Sequence, residues 1–148
     1  MKGIAKMKFL KHASAIWSGS VPTGTGSMKL GKNGESLPFS LKSRIEEVTM
    51  TNPEELIGAA HAGCFSMALS DLIEGAGSAP GVVETSAKVT LEQRSDGFWI
   101  SEIHLTVRGS KQEMTNDEFK TLAEKAKLTC PVSKLYSSAI ITLDAALS

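Results

Sequence analysis

From Val83 onward apolar and polar residues alternate. Val83, Thr85, Ala87, Val89 and Leu91 fall on one parity, and Glu84, Ser86, Lys88, Thr90 and Glu92 on the other. A period of two marks a half-buried strand. Asp96-Gly97 signals a hairpin turn. The return strand puts Trp99, Ile103, Leu105 and Val107 on one parity, with His104 and Arg108 opposite. Upstream the signals are helical. Asn52 fits an N-cap, Pro53 the first helical position and Glu55 the reciprocal capping-box position. That helix runs to about Glu74 and is ended by Gly75 and Gly77. Thr115 and Glu118 cap another helix, whose Phe119, Leu122, Ala123 and Ala126 make an apolar stripe. A short helix follows from Pro131, and Ala139–Ala145 reads as a last strand. Near the start, residues 8–17 and 25–30 read as strands with Gly24 and Gly26 in the turn between them. Residues 31–36 form a second polar turn, and 38–47 look extended. The order β-β-β-α-β-β-α-α-β predicts an α+β fold with antiparallel sheet rather than a doubly wound one.

Composition narrows the classes. The 148 residues make one ordinary domain, 1–148, able to bury about 70% of its unfolded surface. It needs no disulfide or metal staple. Lysine plus arginine and aspartate plus glutamate both number 16, with no basic block, which argues against nucleic acid as a partner. Lys2, Lys6, Lys8 and Lys11 precede no apolar segment of secretory length. No run approaches the roughly 18 apolar residues of a membrane span. The expectation is a cytoplasmic protein, where a persistent disulfide is unusual and a cycling one is functional.

Two cysteines carry the candidate chemistry. Cys64 ends a run of small residues in Thr51-Asn52-Pro53-Glu54-Glu55-Leu56-Ile57-Gly58-Ala59-Ala60-His61-Ala62-Gly63-Cys64-Phe65. Cys130 lies 66 positions later in Thr129-Cys130-Pro131-Val132-Ser133. Local physics favours Cys130 as the reactive thiolate, because it stands at a helix start where free N–H groups and the dipole stabilise negative charge. Cys64 lies about three turns into its own helix, beyond the reach of that terminus. Either thiol also has a plain structural reading, since free cysteine packs well in cores. Phe65, Met67, Leu69 and Leu72 read as core or pocket wall. His61, three positions before Cys64, reads as a satisfied buried histidine rather than a base or ligand. A zinc site from His61, Cys64 and Cys130 lacks the closely paired ligand spacing of common structural sites, and no metal is expected.

The block TNPEELIGAAHAGCFSMAL and the downstream KAKLTCPVSK resemble the two signatures of the OsmC/organic hydroperoxide resistance family. The resemblance spans essentially the whole chain, and Ile-Gly-Ala-Ala-His points to the OsmC branch. It implies an OsmC-like fold in which a long central helix carries the first cysteine, assembled as an intertwined homodimer. It also implies a thiol peroxidase reducing organic hydroperoxides, and hydrogen peroxide less efficiently, without metal, haem or flavin. Cys64 is then peroxidatic and Cys130 resolving through a Cys64–Cys130 disulfide. Arg44 matches the family's arginine and Glu54 its glutamate. The external reductant is a dithiol, with lipoyl-type dithiols suggested. By this reading Arg44 supplies the cation that Cys64 needs and Glu54 orients it. The residues alone leave a redox sensor or a carrier of small apolar ligands as alternatives. Arg44 can also be an ordinary exposed strand residue, and Glu54 a helix N-terminal acid.

Overall fold

In the computed structural model, which describes residues 6–148, the chain divides into two compact units, Met1–Asn52 and Pro53–Ser148. Lys2 lies outside the described residues. The first unit is a three-stranded antiparallel sheet of β1 (Ala13–Ser18), β2 (Thr25–Leu30) and β3 (Ser36–Phe39), in that order. Gly26 belongs to β2 rather than to the turn, paired with Trp17 on one side and Phe39 on the other. A Cβ there would stand 2.6 Å from both rings, so the pair can approach to 5.5 Å only across a glycine. The Trp17 indole N–H donates to the Gly19 carbonyl at 2.8 Å.

The extended reading of 38–47 fails after Phe39. Leu41–Ile45 is a short helix, α1, and the cause is local. Ser40 and Ser43 close a capping box, each side-chain oxygen accepting from the other's backbone N–H. The Asn52 side-chain amide donates to the Ser43 carbonyl at 2.8 Å. Arg44 therefore stands exposed on a helix, not on a strand.

The second unit is built on α2 (Pro53–Gly75). Its buried residues, Glu54, Gly58, His61, Phe65, Leu69 and Ile73, recur every three or four positions and so define one face. Gly58 lets that face come close to β4 (Val82–Arg94), where an added Cβ would lie 3.2 Å from Val89. Phe65 and Leu69 are core residues and Leu72 is half-buried, but Met67 is 76% exposed. By length and composition α2 could cross a membrane, contrary to the sequence expectation. Here its buried face, which includes Glu54 and His61, belongs to a packed protein core.

β4 pairs antiparallel with β5 (Gly97–Ser110), and β5 pairs with β6 (Ile140–Leu147) in parallel. The expected all-antiparallel sheet is therefore mixed. Between β5 and β6 run α3 (Asn116–Thr129) and α4 (Pro131–Leu135), a crossover long enough to return the chain in the same direction. Ile103, Leu105 and Val107 of β5 meet Phe65, Leu69 and Ile73 of α2 and Phe119, Ala123 and Ala126 of α3 in one core, with Cys130 among them. Trp99 does not share the parity of Ile103. A bulge between Thr90 and Leu91 aligns Ile100 with Leu91 and Trp99 with Glu92, turning Trp99 outward. Its indole donates to Asp96 at 2.9 Å, and the Arg94 guanidinium lies 5.3 Å from the ring centre.

Candidate active site

Cys130 occupies a corner. It is the last cap of α3, donating its N–H to the Ala126 carbonyl at 2.9 Å, and the first cap of α4, accepting from the Lys134 N–H at 3.1 Å. Pro131 at the first helical position suits this geometry, since no hydrogen bond is lost there. The thiol is completely buried. Cys64, on α2 beside the buried Phe65, is half-buried. The two sulfurs meet: a hydrogen bond with Cys130 favours the protonated Cys64.

The first turn of α4 does serve Cys64, through the Val132 backbone N–H, which favours its thiolate. The balance still runs the other way. Burial, above all, pushes the Cys64 thiol up from its ordinary value, and Cys130 adds to the rise. The two thiols differ in exposure, Cys64 being half-buried and Cys130 fully buried.

His61 lies one turn before Cys64 and is fully buried. Its Nε2 bonds the Ser133 hydroxyl at 2.7 Å, and its ring meets the edge of Tyr136 at 5.6 Å. Nδ1 has no partner, so the expected satisfied histidine is only half satisfied. Burial holds its pKa below the ordinary value and raises that of Tyr136. Ser133 and Tyr136 were not anticipated. A faint signal existed, for Ser133 follows Cys130 by the same three positions by which His61 precedes Cys64.

Glu54, buried in the first turn of α2, is ten positions from Cys64, about 15 Å along one helix. The two side chains do not meet within α2. Arg44 belongs to α1 in the first unit. Among the described residues no group of three or more His, Cys, Asp or Glu is placed to hold a metal ion.

Fold and site define a class, an α+β protein that sets a half-exposed thiol on a long helix beside a buried thiol at a helix corner. Residues 47–144 match the family described as OsmC-like protein, and the chain belongs to that family. It is 39% identical to Peroxiredoxin OsmC of Escherichia coli strain K12 over 93% of this chain and 96% of the relative. It is 33% identical to the organic hydroperoxide resistance protein OhrA of Bacillus subtilis over 65% of this chain and 67% of that one. The crystal structure of an organic hydroperoxide resistance protein from Elizabethkingia anophelis superposes with a TM-score of 0.71 at 27% identity, covering 96% of this chain and all of that one. That of OsmC from Legionella pneumophila gives 0.69 at 22% identity, over 94% and 99%, a likeness of fold.

Proposed function

We propose that the protein is a thiol-dependent peroxidase acting chiefly on organic hydroperoxides and less efficiently on hydrogen peroxide. The observation that carries this reading is the half-buried Cys64 against the fully buried Cys130. The names of its relatives, a peroxiredoxin and organic hydroperoxide resistance proteins, support it. The Cys64 thiolate attacks the O–O bond, keeping one oxygen as a sulfenic acid while the other leaves as the alcohol. The Cys130 sulfur then attacks the Cys64 sulfur, forming the disulfide and expelling water. An external dithiol, of lipoyl type by family resemblance, returns both thiols by exchange.

Arg44 supplies the cation that opposes the raised Cys64 pKa, and Glu54 orients it through a forked ion pair. Glu54 and Cys64 do not meet within one α2, so Glu54 is either joined to Cys64 through Arg44 or comes from another subunit. We take the working unit to be a homodimer in which two antiparallel copies of α2 cross near Ala59 and bring Glu54 of one copy beside Cys64 of the other. Support comes from the outer face of α2, where Ala59, Ala60, Gly63 and Met67 are exposed, and from β1, exposed throughout. A stable, fully active monomer would remove this part of the reading. Alignment over 93% of the chain supports a single OsmC-like domain spanning 1–148. A cycling dithiol fits a reducing cytoplasm.

The raised Cys64 pKa favours one second reading, a slow redox sensor that reports oxidation without efficient turnover. Steady hydroperoxide consumption with a dithiol reductant separates the two. The direct test counts free thiols before and after one equivalent of cumene hydroperoxide, with mass spectrometry of the linkage. Loss of both thiols to a Cys64–Cys130 bond is expected; two intact thiols would end the peroxidase reading.

A further inference from the structure

We propose that His61 is a positioning residue, holding Cys130 at Cys64 for disulfide closure through its hydrogen bond to Ser133. This rests on the peroxidase reading above. The geometry has two ends of unequal rigidity. Cys64 and His61 share one turn of α2, a helix of 23 residues whose Phe65, Leu69 and Ile73 are locked in the core. Cys130 and Ser133 share the single turn of α4, a helix of five residues whose N-cap side chain makes no capping bond to the helix backbone. So short a helix does not persist by itself, and its placement comes from what it touches.

What it touches on α2 is Cys64, through the Val132 N–H, and His61, while Val132 and Tyr136 pack on the core. The Nε2–Ser133 Oγ bond of 2.7 Å is buried at both ends, and the Tyr136 ring at the far cap of α4 packs edge-on against the same imidazole. One side chain thus grips α4 at both its third residue and its C-cap. Burial lowers the pKa of the ring and so favours its neutral form. The neutral ring and the Ser133 hydroxyl share this bond, one donating and the other accepting. The bond to Ser133 is what histidine adds here over an apolar filler.

The consequence lies in the second chemical step. Once Cys64 is a sulfenic acid, two fates compete. The Cys130 thiol can attack the Cys64 sulfur, releasing water and closing the disulfide. Alternatively a second hydroperoxide transfers another oxygen to that sulfur, leaving its alcohol and an irreversible sulfinic acid. Closure requires the two sulfurs in bonding geometry, so a loosened α4 shifts the partition toward the sulfinic product.

The test exposes reduced full-length protein to a series of cumene hydroperoxide concentrations and weighs the products. Disulfide loses two hydrogens, while sulfinic acid gains two oxygens. Ser133→Ala and His61→Leu delete the bond from opposite ends. Each is expected to reach half over-oxidation at about ten-fold less hydroperoxide than the parent. Ser133→Thr and His61→Gln keep an oxygen and an N–H in place and are expected to stay near the parent. Making the deletions separately lets one decide if the other fails to fold. An unchanged partition in a folded deletion variant overturns the proposal, even if its melting temperature falls. A parent protein that forms no disulfide overturns the peroxidase reading instead.

Discussion

The two units are built on opposite economies of burial. In Pro53–Ser148 a helix face, a strand face and a second helix close on one another, and Phe65, Leu69, Leu105 and Phe119 are wholly inside. In Met1–Asn52 the only buried residue among those described is the capping Ser43, while Ile16 and Leu30 remain 74% and 54% exposed. The chemistry divides in the same way. Both thiols and their neighbours Val132 and His61 belong to the cored unit, whereas the arginine assigned to activate Cys64 belongs to the coreless one. A sheet without an inside is a poor structure alone but a good surface for something else, here proposed to be a second copy of the chain. The thiol pair is intrinsic to one unit; the cation proposed to activate it belongs to the other.

The sharpest way to break this division is Cys64→Ser. Turnover of cumene hydroperoxide should fall to background, and retained activity in a coupled assay would take the chemistry out of the cored unit. Next comes Phe65→Ala, which opens a cavity in the core and should lower the unfolding free energy by about 3–5 kcal/mol in urea titrations. A small loss would mean that the unit is less closed than its burial indicates.

Arg44→Lys tests activation from the other side. A point charge cannot copy the guanidinium fork, so the rate at neutral pH should drop roughly ten- to hundred-fold. Because Cys64 lies above its ordinary pKa, the deficit should shrink as pH rises and thiolate forms without help. A pH-independent deficit would show that Arg44 binds substrate rather than tuning the thiol.

The smallest effect concerns His61, whose folded pKa is depressed below 6.5 by burial. The unfolded chain takes up that proton first, so stability is complete above about pH 6.5 and declines as pH falls toward the folded value. His61→Gln should flatten this part of the curve in thermal melts between neutral and mildly acidic pH. Superimposable curves would mean that His61 takes up its proton alike in the folded and the unfolded chain.

Much of this architecture was legible because its signals are local. Asn52-Pro53 opens α2, and the Thr115–Glu118 box opens α3, each within one turn of chain. The alternation of β4 follows from one face meeting the core. The misreadings share a different cause. One extra residue near Ser101 inverts the parity of Trp99, and no count along a single strand reveals it. The direction of β6 is set by the crossover before it, not by its own residues. α1 did carry a local mark, the Ser40–Ser43 pair, but two serines are a weak one. At the site, both cysteines stood out through their settings and the family motifs. The Val132 N–H and the Ser133 hydroxyl did not, because only tertiary folding brings them to α2.

The 66-position separation of the two cysteines has a thermodynamic meaning beyond catalysis. A Cys64–Cys130 bond would close a loop spanning β4, β5 and α3, removing conformations from the unfolded chain worth about 4 kcal/mol at room temperature. Each catalytic cycle would then alternate between a looser and a tighter molecule. By linkage, whatever stabilises the folded state selectively in its reduced form makes the disulfide easier to break, so the reduction potential of the pair and the resilience of the fold are two readings of one balance.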